Sequence, residues 1–299
     1  MPRMQTFRFL TSLLFMLSMA VAGHAQINTS QVYTFGDSLT DNDYLYLFFG
    51  TPPEIYGADP MQLAFEKAAE PGDQLTNFAV LGSRSYEVLA QVQAYQEGRD
   101  AGILPAATLV SLQAGGNDFI DLQNGSTNLI LLASAAPGEN EVVDQIVKDA
   151  KKNLLHCLQI LQRGDRPQVV LWTTPDVSLT PYVLSLGFSS EQLANIRAHS
   201  ERLNNVLRAI SRQSNVALLD SSALLTELTV DPPTVLGVTI QPTPLFGFGT
   251  AQFADPIHPT AVVNGFVANE AILQMNLVFG DAVPLYDDLE LAEMAGLLP

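Results

Sequence analysis

A histidine near the carboxyl end of the chain lies in a segment that could orient its side chain. His258 stands in "FADPIHPTA", three residues after Asp255 and directly before Pro259. The prolines restrict this backbone, and Pro259 favours an extended conformation at His258. A turn there can bring the Asp255 carboxylate to one imidazole nitrogen and leave the other nitrogen to act as a general base. The same residues would also fit the plain start of a final helix.

A base of this kind needs a hydroxyl to activate, and Ser38 is the candidate. It follows the apolar run "QVYTF" in the stretch "TFGDSLTDND", where a strand should end and the chain should turn. Ser38 and Asp41 also fit a capping box, in which a serine and an acid three residues later begin a helix. The "GxSxG" motif of ordinary α/β-hydrolases is missing, because Thr40 occupies the position of its second glycine. Asp37 and Asp41 are predicted to hold the turn.

Acyl transfer also needs hydrogen-bond donors for the negative charge that develops on the carbonyl oxygen. The sequence "GGND" at Gly115–Asp118 combines two small residues with Asn117, whose amide can donate. The backbone N–H groups of Gly82 and Ser38 are further candidates. A plain turn at "GGND" and a helix entry at Gly82 would explain the same residues without chemistry.

Apolar segments of strand length alternate along the chain with longer helical patterns. Five segments are predicted to be strands: Gln31–Phe35, Thr76–Val80, Thr108–Gln113, Gln168–Thr173 and Val216–Asp220. Four segments are predicted to be long helices: Ser85–Glu97, Glu139–Gln162, Ser190–Gln213 and Pro259–Leu277. The alternation predicts an α/β fold, a flavodoxin-like three-layer sandwich around a five-stranded parallel sheet. The candidate loops should then meet at one rim, beyond the carboxyl ends of the strands.

Composition and charge exclude several classes of function. The chain has 299 residues, 47% of them hydrophobic, and a formal net charge of −17. Such acidity argues against binding to nucleic acid or tight binding to an anionic membrane surface. Cys157 is the only cysteine, so no intramolecular disulfide forms, and its apolar helical context predicts a buried structural thiol. We find neither a phosphate-binding loop nor a metal-ligand spacing, so no cofactor and no metal are expected.

The beginning of the chain has the features of an export signal. Arg3 and Arg8 precede an apolar run from Phe9 to about Ala22, and small residues follow up to Ala25. That run is too short to span a bilayer, although an uncleaved membrane anchor is the alternative. Residues 1–25 are predicted to be a signal peptide cleaved near Ala25, which makes the protein secreted or periplasmic. Residues 26–280 would form one domain, and residues 281–299 an acidic tail that is either packed or loose.

Taken together, these motifs resemble the GDSL, or SGNH, family of serine esterases and lipases. Four blocks stand in the family's order: "FGDSLTD" at Phe35–Asp41, "NFAVLGS" at Asn77–Ser83, "GGND" at Gly115–Asp118 and "DPIHPT" at Asp255–Thr260. The resemblance extends from about Val32 to Ala268. One block departs from the pattern, because such members often have "NFAxGGA" where this chain has Leu81 and Ser83 around Gly82.

The resemblance implies a role for each matching residue in a carboxylic-ester hydrolase with the SGNH hydrolase fold. Ser38 would attack the ester and form an acyl-enzyme, His258 would move the proton, and Asp255 would orient His258. The N–H groups of Ser38 and Gly82, with the side chain of Asn117, would form the oxyanion hole. The segment "VVLWTTPDVSLTP" is similar to the family's proline-containing loop that edges the pocket.

The substrate is predicted only as a class, a small-molecule or lipid ester. An acyltransferase and a carbohydrate or choline-ester deacetylase remain alternatives on the same scaffold, and a non-catalytic secreted binding protein is a third. Two apolar segments, Tyr44–Phe49 and Thr243–Gly249, are predicted to wall a groove that favours a medium acyl chain over acetate. The oligomeric state stays open.

Overall fold

A five-stranded parallel sheet forms the centre of the protein. The computed structural model describes residues 26–41, 45–163, 166–213 and 215–298, and the predicted signal segment lies outside them. The strands are β1 (Gln31–Phe35), β2 (Gln74–Asn77), β3 (Leu109–Leu112), β4 (Gln168–Trp172) and β5 (Val216–Leu219). Their order is β2-β1-β3-β4-β5, and every neighbouring pair is parallel. The predicted α/β sandwich with five parallel strands is therefore confirmed.

Four strands begin and end within one residue of their predicted positions, and β2 does not. It was expected at residues 76–80 and is found at Gln74–Asn77. Backbone hydrogen bonds to β1 continue beyond the end of the strand, because the N–H groups of Phe78 and Val80 donate to the carbonyls of Thr34 and Gly36. Its start was hidden because this edge strand is only half-buried and has no apolar run.

The described chain contains helices of very different lengths. They are α1 (Leu45–Phe49), α2 (Pro53–Tyr56), α3 (Pro60–Ala68), α4 (Ser85–Asp100), α5 (Gly116–Ile120), α6 (Thr127–Ser134), α7 (Glu141–Leu161), α8 (Pro181–Ser185), α9 (Ser190–Ile210), α10 (Ser221–Val230), α11 (Ala261–Phe279) and α12 (Asp288–Met294). The four predicted long helices correspond to α4, α7, α9 and α11, with ends shifted by three residues at most. The shorter helices were not predicted.

Helices cover the sheet on both faces. Successive side chains of a strand point to opposite faces, and in β1 Tyr33 and Phe35 pack with α4, α7 and α9, whereas Val32 packs with α3 and α11. Among the described residues, α11 is long and apolar enough to cross a membrane. Half of it is buried inside the protein, as expected of a core helix.

The segment that leads to Asp255 and the end of the chain form a smaller layer beside the sheet. It contains β6 (Thr234–Val235) antiparallel to β7 (Val238–Thr239), and β8 (Gln241–Phe246) parallel to β9 (Ala251–Phe253). Within the predicted tail, α12 buries Leu291 and Ala292 in the cluster that contains Val263. Of the two alternatives for this tail, the structure shows a packed helix.

Candidate active site

The turn that carries Ser38 is fixed by hydrogen bonds from neighbouring strands. The Thr40 N–H donates to the Asp37 carbonyl at 3.0 Å, and the Leu39 N–H donates to Asp37 Oδ1 at 3.0 Å. Gln113, at the end of β3, accepts the Asp37 N–H and donates to Asp37 Oδ2. The predicted structural role of Asp37 agrees with these contacts. Residues 37–40 form a turn and not the start of a helix, so the capping-box alternative is wrong.

Close packing explains the glycine before this turn. A side-chain carbon on Gly36 would lie 2.8 Å from Gln113 Oε1 and would also meet Thr40 Oγ1. The backbone of Gly36 is clamped by Gln91 of α4, whose amide oxygen accepts its N–H and whose nitrogen donates to its carbonyl. Asp41 holds the next loop, because its Oδ2 accepts the Leu81 N–H at 3.1 Å. Ser38 thus stands on backbone that is held from several sides.

His258 and Asp255 stand on a tight turn between β9 and α11. The Ala254 N–H donates to the His258 carbonyl at 2.8 Å and closes the turn. Asp255 Oδ1 accepts the N–H groups of Ile257 and His258 at 2.7 and 2.9 Å. The turn predicted from "DPIHP" therefore orients the Asp255 carboxylate through its own backbone.

The structure brings Ser38, His258 and Asp255 together in one hydrogen-bonded chain. His258 Nδ1 lies 2.8 Å from Asp255 Oδ2, and His258 Nε2 lies 2.8 Å from Ser38 Oγ. An ionised carboxylate only accepts, so Nδ1 carries the ring proton and Nε2 accepts from the serine hydroxyl. The ring of Phe49 packs edge-on against His258 at 5.1 Å between centroids. All three residues of the chain are at least 94% buried.

The charge on Asp255 is stabilised even though the carboxylate is buried. Burial alone would raise the pKa of Asp255, but the hydrogen bond and charge of His258 and the two backbone N–H groups hold that pKa below its ordinary value. The ionised Asp255 carboxylate faces His258 Nδ1 directly. This is the electrostatic arrangement that a serine nucleophile and its base require.

Two of the three oxyanion-hole candidates line a common cavity. Ser38 and Asn117 both border the space beside His258, and Gly82 lies in the adjoining turn outside that lining. Asn117, in the first turn of α5, donates from Nδ2 to the Ser83 carbonyl at 3.1 Å. Gly82 has a φ of +79°, and the Ser83 N–H donates to the Val80 carbonyl, so Gly82 occupies the turn position that favours glycine.

The cavity beside Ser38 is lined mainly by apolar side chains. It is bordered by Leu39, Pro60, Trp172, Pro175, Val177, Leu224, Leu225, Leu228, Ile257, Val263 and Val267, among others. Pro175 and Val177 belong to the loop after β4 that was predicted to edge the pocket. The predicted groove walls are not the walls of this cavity, because neither the described part of Tyr44–Phe49 nor Thr243–Gly249 lines it; Leu45 borders a small pocket beside Ser38 and His258 instead. Helices α10 and α11 wall the cavity, and Phe49 of the first predicted segment packs against His258.

Some contacts of the site were missed in the sequence, and one prediction outside the site is confirmed. Gln91 and Gln113 support the Ser38 turn, and the hydroxyl of Tyr56 donates to Asp255 Oδ2. Gln113 is the last residue of a predicted strand and directly follows β3, whereas no pattern marks Gln91 or Tyr56. Cys157 is fully buried, and burial raises the pKa of its thiol to about 12, as expected of a structural cysteine.

A comparison with known protein families identifies the family of this chain. A family model described as GDSL-like Lipase/Acylhydrolase matches residues 32–271, which is most of the chain. The chain therefore belongs to this family of esterase- and lipase-type hydrolases. Its matched region contains all four sequence blocks and both turns of the candidate site.

Several solved structures are similar to the chain, whereas no curated protein matches it. Phospholipase A1 from Streptomyces albidoflavus NA297 has 16% sequence identity and a TM-score of 0.47, over 84% of this chain and 100% of that one. TesA has 17% identity and a TM-score of 0.46, over 83% and 99%. AlinE4, an SGNH-hydrolase family esterase, has 17% identity and a TM-score of 0.39, over 70% and 89%. At these identities the likeness concerns the fold alone.

A second buried acid next to Asn117 makes the stability of the protein depend on pH. Asp118 accepts the N–H and the hydroxyl of Ser85 at 2.8 and 2.6 Å. Burial nevertheless raises the pKa of Asp118 from 3.8 to about 6. The folded protein therefore holds this proton more tightly than the unfolded chain does, and ionisation of Asp118 costs stability.

We expect Asp118→Asn to flatten the dependence of stability on pH between about 4 and 6. In the wild type, the contribution of Asp118 is fully present below pH 4 and is lost as the pH rises through 6, in total roughly 3 kcal/mol. Asparagine keeps an acceptor for Ser85 and has no proton to lose. Urea unfolding of both proteins from pH 4 to 7 measures the difference. Parallel curves would show that Asp118 ionises as readily in the folded protein as in the unfolded chain.

Proposed function

We propose that the protein is an exported serine hydrolase that cleaves carboxylic esters of small molecules or lipids through an acyl-enzyme on Ser38. One observation carries this proposal, the unbroken hydrogen-bonded chain from Asp255 through His258 to Ser38. Membership of the lipase and acylhydrolase family supports the class of reaction. The export features of residues 1–25 support a location outside the cytoplasm.

Each residue of the chain has a defined step in this reaction. Ser38 Oγ attacks the ester carbonyl while its proton passes to His258 Nε2, and Asp255 stabilises the resulting imidazolium. The tetrahedral intermediate collapses when His258 gives that proton to the leaving alcohol. Water then loses a proton to His258 and attacks the acyl carbon, and Ser38 is released when His258 returns the proton to Oγ. No metal or cofactor enters these steps.

The oxyanion that forms in both steps needs preorganised donors. The Ser38 N–H and the Asn117 side chain are the best-placed candidates because both residues border the cavity beside His258. Gly82 would contribute its N–H from the adjoining turn. Loss of one such donor typically removes about 3 kcal/mol of transition-state stabilisation.

The apolar cavity is the proposed site for the acyl chain. Its walls include leucines and valines of α10 and α11 as well as Trp172, and Ser38 and His258 stand at its edge. An acyl chain that leaves water for this space gains up to about 0.8 kcal/mol per methylene. The lining thus favours an acyl ester hydrolase over the alternative of a carbohydrate or choline-ester deacetylase.

Substitution of Ser38 and His258 tests the proposed chemistry. We expect Ser38→Ala and His258→Ala each to lower kcat by a factor on the order of 10⁴–10⁶, with the double variant little worse than either. Asp255→Asn should cost less, because Asp255 orients and stabilises but does not move the proton. Hydrolysis of p-nitrophenyl butyrate by purified variants, with circular dichroism to verify folding, gives these rates. Additive losses in the double variant would contradict a shared step.

A second test concerns the length of the acyl chain. We expect kcat/KM to rise from acetate to butyrate, by about tenfold at most, and to level off at a medium chain. Leu224→Trp would fill part of the cavity and move the preference towards acetate. Leu277→Trp is the matched control, because Leu277 lies on α11 with 63% of its surface exposed and should leave the preference unchanged.

The measurement is kcat/KM for the acetate, butyrate and octanoate p-nitrophenyl esters with the three proteins. A maximum at acetate in the wild type would exclude the cavity as an acyl site and favour the deacetylase alternative. Equal effects of the two tryptophan substitutions would show that Leu224 does not border the bound chain.

A further inference from the structure

The Asp255 carboxylate receives a hydrogen bond that a serine, histidine and aspartate chain does not itself require. Asp255 Oδ2 accepts from His258 Nδ1 at 2.8 Å and from the Tyr56 hydroxyl at 2.8 Å. The other oxygen, Oδ1, accepts the two backbone N–H groups of the turn. Tyr56 therefore binds the very oxygen that holds the catalytic imidazole, from a position 199 residues away in the sequence.

Tyr56 is held in place by both its backbone and its ring. It is the last residue of α2, and its carbonyl accepts from Asn264 Nδ2 of α11 at 3.0 Å. Its ring is buried in a small cluster with Leu45 and Ala254, and 2% of its surface is exposed. Helix α11, which follows the His258 turn, thus also fixes Tyr56. The position of the phenol relative to the imidazole is therefore fixed.

The direction of this hydrogen bond is set by its partners. Burial, and then the bond to Asp255, raise the pKa of the Tyr56 hydroxyl, which consequently keeps its proton. An ionised carboxylate has no proton to donate. The phenol is thus a permanent donor to Asp255, and it draws negative charge away from the oxygen that faces His258 Nδ1.

We infer that Tyr56 is a positioning residue of this site, which rests on the function proposed above: its hydroxyl fixes the Asp255 carboxylate and weakens the hydrogen bond that Asp255 Oδ2 makes with His258 Nδ1. A carboxylate with a second donor has less negative charge to offer, so it stabilises a positively charged imidazole less strongly. Asp37 of the Ser38 turn also interacts electrostatically with His258.

The test is the reactivity of Ser38 towards a fluorophosphonate as a function of pH, which needs no knowledge of the natural substrate. For Tyr56→Phe we expect the acid limb of the rate profile to move to higher pH by about half a unit, a fraction of the full effect of a charged hydrogen bond. Tyr33→Phe is the matched control, because Tyr33 is also a buried tyrosine but its hydroxyl donates to the Pro105 carbonyl before β3. Tyr33→Phe should leave the acid limb of the rate profile at its wild-type pH.

A second variant separates this role from simple packing. Replacement of Tyr56 by 3-fluorotyrosine keeps the hydroxyl and makes it a stronger donor, so the acid limb should move to lower pH, opposite to the Tyr56→Phe shift. The 3-fluorotyrosine variant also tests the role of Tyr56 if Tyr56→Phe fails to fold. If the wild type labels at Ser38 and both variants keep the acid limb at the same pH, the role of Tyr56 is overturned and the proposed function is not. A wild type that never labels at Ser38 would overturn the proposed function and this inference with it.

Discussion

The hydrogen bonds on either side of the His258 ring are the interaction on which the rest of the site depends. Ser38 and His258 are 220 positions apart in the sequence, and their side chains meet at 2.8 Å only because β1 and the turn after β9 end at the same rim. A parallel sheet places all its carboxyl strand ends along one edge. β1 belongs to that sheet and α11 packs against it. This packing holds the Ser38 turn and the Asp255–His258 turn at hydrogen-bonding distance.

The site buries several acidic side chains, and burial makes their ionisation less favourable. Asp37 is almost fully buried, and burial raises its pKa even though Leu39, Gln113 and Asn117 donate to its carboxylate. Burial likewise raises the pKa of Asp118 despite its hydrogen bonds, whereas the hydrogen bonds and charge around Asp255 lower the pKa of Asp255. The difference is that a basic partner, His258, faces Asp255 directly. The protein thus keeps charge at Asp255, where the imidazole needs it, and disfavours it at the two acids whose observed contacts are structural.

Local sequence patterns predicted the parts of the site whose geometry is itself local. Asp255 and His258 are three residues apart, and two prolines mark their turn. β1 and β3 are continuous apolar runs, so their ends, and the loops after them, were found within one residue. Asp255 and Tyr56, in contrast, are joined across 199 residues, and the cavity walls depend on how α10 and α11 pack. Such contacts leave no trace in residue spacing, which is why Tyr56 and Leu224 were missed and Thr243–Gly249 was wrongly chosen as a wall.

In the proposed mechanism, Ser38 carries the acyl group during turnover. Intact-mass spectrometry of the protein, mixed with p-nitrophenyl butyrate and quenched in acid during turnover, tests it most directly, followed by peptide mapping of the acylated fraction. The predicted result is a single butyryl group per chain, located on the peptide that contains Ser38 and absent from Ser38→Ala. Turnover with the acyl group on another residue, or undiminished turnover by Ser38→Ala, would contradict the claim.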